Sequence, residues 1–100
     1  MQTVTSDAVF NALSPTSTTI IEGNKRTVSV TNGYTTWWGM SQYQPPSVPS
    51  GKRLIRMYAN CNNQNVSVCH AVSNGENRII TISEITASIQ IWFCIEVADI

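Results

Sequence analysis

The chain has 100 residues, enough for one domain that buries roughly two-thirds of the surface its unfolded form exposes. Six Lys plus Arg balance six Asp plus Glu, and zero formal charge argues against the clustered cations that a phosphate backbone needs, so nucleic acid is not an expected partner. Only 12% of residues are charged, and the polar surface is built from Thr, Ser, Asn and Gln, which suits extracellular or virion β-structure.

Residues Val4 to Leu13 predict a helix of about two turns. Thr5 or Ser6 can cap its first amides, Asp7 complements the positive end of the dipole, and with Thr5 as cap, Val4 and Val9 form a hydrophobic staple. Pro15 ends it. Val9, Ala12 and Leu13 share one stripe. A helix shorter than roughly 12 residues is marginal alone, so this stripe must bury against the rest of the domain or against copies of itself.

From Pro15 onward the period changes from helical to alternating, with turn signals at intervals of roughly 10 residues, the pattern of an all-β sandwich or barrel. The first strand is expected over Ser17 to Glu22 with a turn at Gly23-Asn24, and the second over Lys25 to Thr31 with Arg26, Val28 and Val30 on one face. Asn32-Gly33 supplies the strongest short hairpin signal, leading to a third strand, Tyr34 to Met40, with Trp37 and Trp38 on opposite faces. One of the two tryptophans must face the core; the alternation leaves open which. Pro45, Pro46 and Pro49 make Ser41 to Gly51 a long exposed loop.

Lys52 to Asn60 and Val66 to Val72 are expected to form a hairpin around Asn62 to Asn65, with Ile55 facing Val72, Met57 facing His70, Ala59 facing Val68 and Cys61 facing Val66. That register sets Cys69 opposite Tyr58, on the other face from Cys61, so no disulfide joins the two. After a turn at Ser73 to Asn77, Arg78 to Ile85 places Ile80 and Ile82 on one side. The best-patterned strand is the last, with Ile89, Ile91, Phe93, Ile95 and Val97 on one face and Gln90, Trp92, Cys94 and Glu96 on the other. It should be central in its sheet. The second face is too apolar for free exposure.

No basic region followed by an apolar run opens the chain, and no apolar stretch approaches roughly 18 residues, so neither a signal peptide nor membrane insertion is expected. Three cysteines and one histidine do not match the spacing of a zinc site, and no metal or cofactor is expected. Catalytic chemistry is not expected either. The acids lie at scattered positions, and Cys69, His70 and Asp99 form a triad only on paper, because adjacent strand residues point apart. The glycines are scattered singly and cradle no phosphate.

The residues that suit binding are Tyr34, Trp38, Gln42 and Tyr43, where an aromatic ring can stack on a sugar while amides and hydroxyls take its hydroxyl groups. The amides of Asn62 to Asn65 need no ligand to explain them in a turn. Val9, Ala12, Leu13 and Trp92 are the candidate oligomer contacts, since apolar surface left at an outward face usually marks an interface.

The string Thr3-Val4-Thr5-Ser6-Asp7-Ala8-Val9-Phe10-Asn11-Ala12-Leu13 resembles the V-T-S-x-A-V-Y/F-x-A-L segment of tail fibre and receptor-binding proteins of phages and prophages. There it usually lies between the fibre shaft and a distal domain. The resemblance covers about a tenth of the chain and implies a homotrimer in which short helices meet on the three-fold axis. It also implies a virion protein assembled in the bacterial cytoplasm. Its distal domain would attach to a bacterial surface glycan or protein.

The expected architecture is a short helical segment over residues 1–14 and an antiparallel β-sandwich, jelly-roll-like with seven or eight strands, over residues 15–100. The alternatives are a purely structural domain that trimerises or caps a fibre, and a small independent lectin. An enzyme is the least expected.

Overall fold

The computed structural model describes residues 17–38 and 44–100. The helical segment expected over 1–14, with Val9, Ala12 and Leu13, lies outside the described residues, as do Gln42 and Tyr43. The described part is all-β: seven strands in two antiparallel sheets.

The first sheet is organised by its last strand. β7 (Ala87–Asp99) is flanked on one side by β4 (Lys52–Cys61) and on the other by β1 (Thr18–Glu22) followed by β2 (Arg26–Val30). Its central position follows from its sequence, because Ile89, Ile91, Phe93, Ile95 and Val97 are all buried on one face. Each fully buried side chain of this size contributes about 1.5–3 kcal/mol.

The turn expected at Gly23-Asn24 does not reverse the chain. Glu22 pairs with Cys94 and Arg26 pairs with Ile91, so residues 23–25 stand opposite only Trp92 and Phe93. β1 and β2 are thus one edge strand interrupted by a bulge. The Gly23 N–H donates to the Phe93 carbonyl at 2.7 Å and carries the ladder across it. A side chain has little room there: a Cβ on Gly23 would lie 3.1 Å from the Phe93 carbonyl oxygen and 3.2 Å from Cδ of Pro46.

β3 (Gly33–Trp38), β6 (Glu76–Ser83) and β5 (Val66–Ser73) make the second sheet, with β6 in the middle. The hairpin expected at Asn32-Gly33 is not formed. β2 stays with β7, β3 pairs with β6, and Asn32-Gly33 carries the chain from one sheet to the other. The Asn-Gly hairpin is instead Asn74-Gly75, where both residues have positive φ, 52° and 79°, and join β5 to β6 in unbroken register.

The register expected between β4 and β5 is corrected as well. Each strand pairs in a different sheet: Ala59 lies opposite Phe93 and Tyr58 opposite Cys94, whereas Cys69 lies opposite Ile80 and His70 opposite Ile79. Asn62 to Asn65 therefore also connects the two sheets. Both corrections have one physical cause. The apolar faces of β6 and β7 recruit partners from distant segments, and that burial outweighs the local turn signals.

One core joins the sheets. Val28, Val30, Ala59, Ile89, Ile91 and Phe93 of the first sheet pack with Val66 and Ile79 of the second, and Trp37, Met57, Cys61 and Val68 pack against them. The His70 ring meets Phe93 edge-on, with centroids 5.6 Å apart, and its Nε2 lies 2.9 Å from Asn77 Oδ1. The ring is thus packed toward the core and tied to β6 through Asn77.

Candidate functional site

The strand charges are unevenly divided. Glu22, Arg26, Lys52, Arg53, Arg56, Glu96 and Asp99 belong to the first sheet, against Glu76 and Arg78 in the second. On the outer face of the first sheet the charges are paired. Arg56 Nε donates to Glu96 Oε1 at 2.7 Å and the Thr18 hydroxyl donates to Glu96 Oε2 at 2.6 Å, tying three strands together. The Arg56 guanidinium also stands 4.3 Å from the centre of the Tyr58 ring.

Trp92 and Cys94 lie beneath this face. Trp92 is only 6% exposed within its own chain, with the Lys25 ammonium 4.6 Å from its ring centre. The apolar character of that face is thus met largely inside the chain, and little of the Trp92 ring is left for a contact between subunits. Burial, chiefly, pushes the Cys94 thiol above its usual range. It is a packing residue rather than a nucleophile.

The outer face of the second sheet is different. Antiparallel pairing places Tyr34, Ile82 and Ser67 in one row, Thr36, Ile80 and Cys69 in the next, and Trp38, Arg78 and Ala71 in a third. Tyr34 is 73% exposed, Ile82 57% and Trp38 40%. Trp37, one residue before Trp38, turns inward and packs on the core, which answers the question the alternation left open. Tyr34 and Trp38 stand four residue steps apart, about 13 Å along the β3 backbone. The Arg78 guanidinium lies 5.6 Å from the Trp38 ring centre, and no carboxylate among the described residues pairs with it.

The structure therefore brings Tyr34 and Trp38 together on one nearly uncharged face. Arg78 and Ile82 join them there without having been expected. Their signal was available only through the register of β3 against β6. Cys61 and Cys69 lie apart, the first turned to the core and the second exposed on this outer face.

Beside the Tyr34 row, where β4 and β5 diverge, an open depression of about 620 Å³ is lined by Ala59 to Gln64 and Val66 to Val68. Ser67 belongs to both the depression and the outer face. Among the described residues, no group of three or more His, Cys, Asp or Glu is placed to hold a metal ion. No family model, curated protein or solved structure matches the chain.

Proposed function

We propose that the chain is a distal attachment domain of a phage tail fibre, a homotrimer in the virion that binds a bacterial surface glycan through the outer face of its second sheet. The observation that carries this reading is the pair of exposed rings, Tyr34 and Trp38, on one face beside Arg78, with which no carboxylate among the described residues pairs. Aromatic rings offer a large apolar surface for the apolar side of a sugar, and Arg78 supplies donors for its oxygens. The string Thr3 to Leu13 supports the assignment to a fibre.

The pairing pattern supports the finer architectural reading, a sandwich of jelly-roll type. Early strands pair with late ones in nested order, β2 with β7 and β3 with β6, and β4 and β5 then flank the same two late strands. Three copies displayed together would bind a repetitive surface by avidity, so that no single site needs to be tight.

Adsorption to host cells tests the reading. Trp38→Ala and Tyr34→Ala should each weaken adsorption while leaving the fold unchanged, because both side chains are exposed; full retention by the double variant sinks the contact set. A structural capping domain is the second reading, favoured by Ile80 and Ile82 next to Tyr34. An apolar face of this kind is often covered by protein. A trimer that binds no glycan on an array would decide for the cap.

A further inference from the structure

We infer that the outer face of the second sheet selects an acidic glycan, whose anionic group lies on Arg78 beside Trp38. The inference rests on the attachment reading for the class of ligand, and on how the chain's cations are engaged for its charge.

Every cation but one has a polar partner or other contact that occupies it. Lys25 pairs with Glu22 at 3.6 Å, Lys52 with Asp99 at 2.6 Å and Arg56 with Glu96 at 2.7 Å. Arg53 Nε donates to the Asp99 carbonyl at 3.3 Å, and Arg26 is engaged as well. Arg78 differs. No described residue gives it a hydrogen bond or an ion pair, and its Nε is buried without a hydrogen-bond partner. A half-buried cation with no counter-charge is costly, and an anion supplied from outside the chain removes that cost.

The placement of the guanidinium shows where such an anion would sit. Glu76 shares the outer face with Arg78, two residues back and about 7 Å along β6. The two form no salt bridge. The guanidinium lies instead 5.6 Å from the centre of the Trp38 ring, so cation and exposed ring form one unit. Glu76 stands at the hairpin end of the face, and Tyr34 stands on the other side of Arg78. Between Arg78 and Tyr34 the face carries Thr36, Ile80 and Cys69, none of them acidic, so nothing on that path repels an anionic chain.

A guanidinium has five donors and no acceptor, and its planar fork matches the paired oxygens of a carboxylate or a phosphate. A neutral sugar would find the same aromatic surface and leave the charge unanswered. An acidic one stacks on Trp38 and answers it.

The test is an NMR titration of the full chain with two matched pairs of oligosaccharides: oligogalacturonate with its methyl ester, and mannopentaose phosphate with mannopentaose. In at least one pair the acidic member should shift the Trp38 indole signal and bind about tenfold more tightly than its neutral counterpart. Which pair does so tells carboxylate from phosphate. Arg78→Gln should close the gap, the acidic member falling to the affinity of the neutral one. Salt tests the same charge without a variant: at about 1 M, where screening acts within about 3 Å, the gap should shrink.

Equal binding within both pairs, absence of binding included, overturns the inference, as does a gap that persists in Arg78→Gln or at high salt. If Trp38→Ala then still abolishes adsorption to host cells, the attachment reading stands without the selection for charge. Full adsorption by the Tyr34, Trp38 double variant would remove both.

Discussion

At the scale of single residues, Phe93 has the most to lose. It is 1% exposed, lies opposite Ala59, and meets His70 from the other sheet, so it joins three strands at the middle of the core. Phe93→Ala should cost about 3–5 kcal/mol, read as a lower urea midpoint.

Glu96 gives a residue-scale prediction of another kind. The Thr18 hydroxyl, and after it the Arg56 guanidinium, hold its carboxyl below the ordinary value of 4.5. A carboxyl depressed on folding contributes stability that is complete above its unfolded value and disappears as pH falls through the lower folded one. Unfolding midpoints should therefore decline below about pH 4.5. Glu96→Gln should be less stable than the wild type at neutral pH and should converge with it in acid. A gap between the two that stays constant with pH would show that the cross-strand bonds do not depend on the charge. Asp99, held low by Lys52, adds to the same acid limb in both proteins.

At the scale of elements, much of the chain is legible from its alternation, but the pairing is not. The apolar face of β7 and the opposite faces of Trp37 and Trp38 follow directly from a period of two. The chain carries two Asn-Gly pairs with the same local chemistry, and only Asn74-Gly75 closes a hairpin. What separates them is the partner each flanking strand finds. Val28 and Val30 bury against β7, whereas β5 and β6 bury their own shared face.

The bulge at residues 23–25 was hidden for the same reason, since Gly-Asn between two apolar runs suits a reversal and a bulge alike. Gly23→Ala tests it. A methyl group pressed among the Phe93 and Gln44 carbonyl oxygens and Pro46 should cost about 1–3 kcal/mol, because two of the three contacts are backbone and cannot yield cheaply. If that variant is as stable as the wild type, the bulge is softer than its packing implies.

At the scale of the whole molecule, the proposed trimer makes the clearest prediction. Sedimentation equilibrium should give three times the 11.0 kDa of one chain. Replacing Val9 and Leu13 by asparagine should weaken that assembly, and an unchanged oligomer would mean that those residues serve the domain itself. The division of charge between the sheets was not legible in the sequence, although every charged residue was. Counting charges along the chain gives zero net; only the pairing shows that the first sheet holds most of them, leaving the second sheet free to present rings.

The placement of β7 has a consequence for how the protein is made. Thr18 must wait for Ala98, Arg26 for Ile91 and Lys52 for Asp99, so the three segments of the first sheet leave the ribosome well before the strand that joins them. Contacts so distant in sequence fold slowly, and the waiting strands expose Val28, Val30 and Met57 to anything nearby. Newly made chains should therefore be vulnerable to aggregation during synthesis. That danger ends when β7 emerges and seals the sheet.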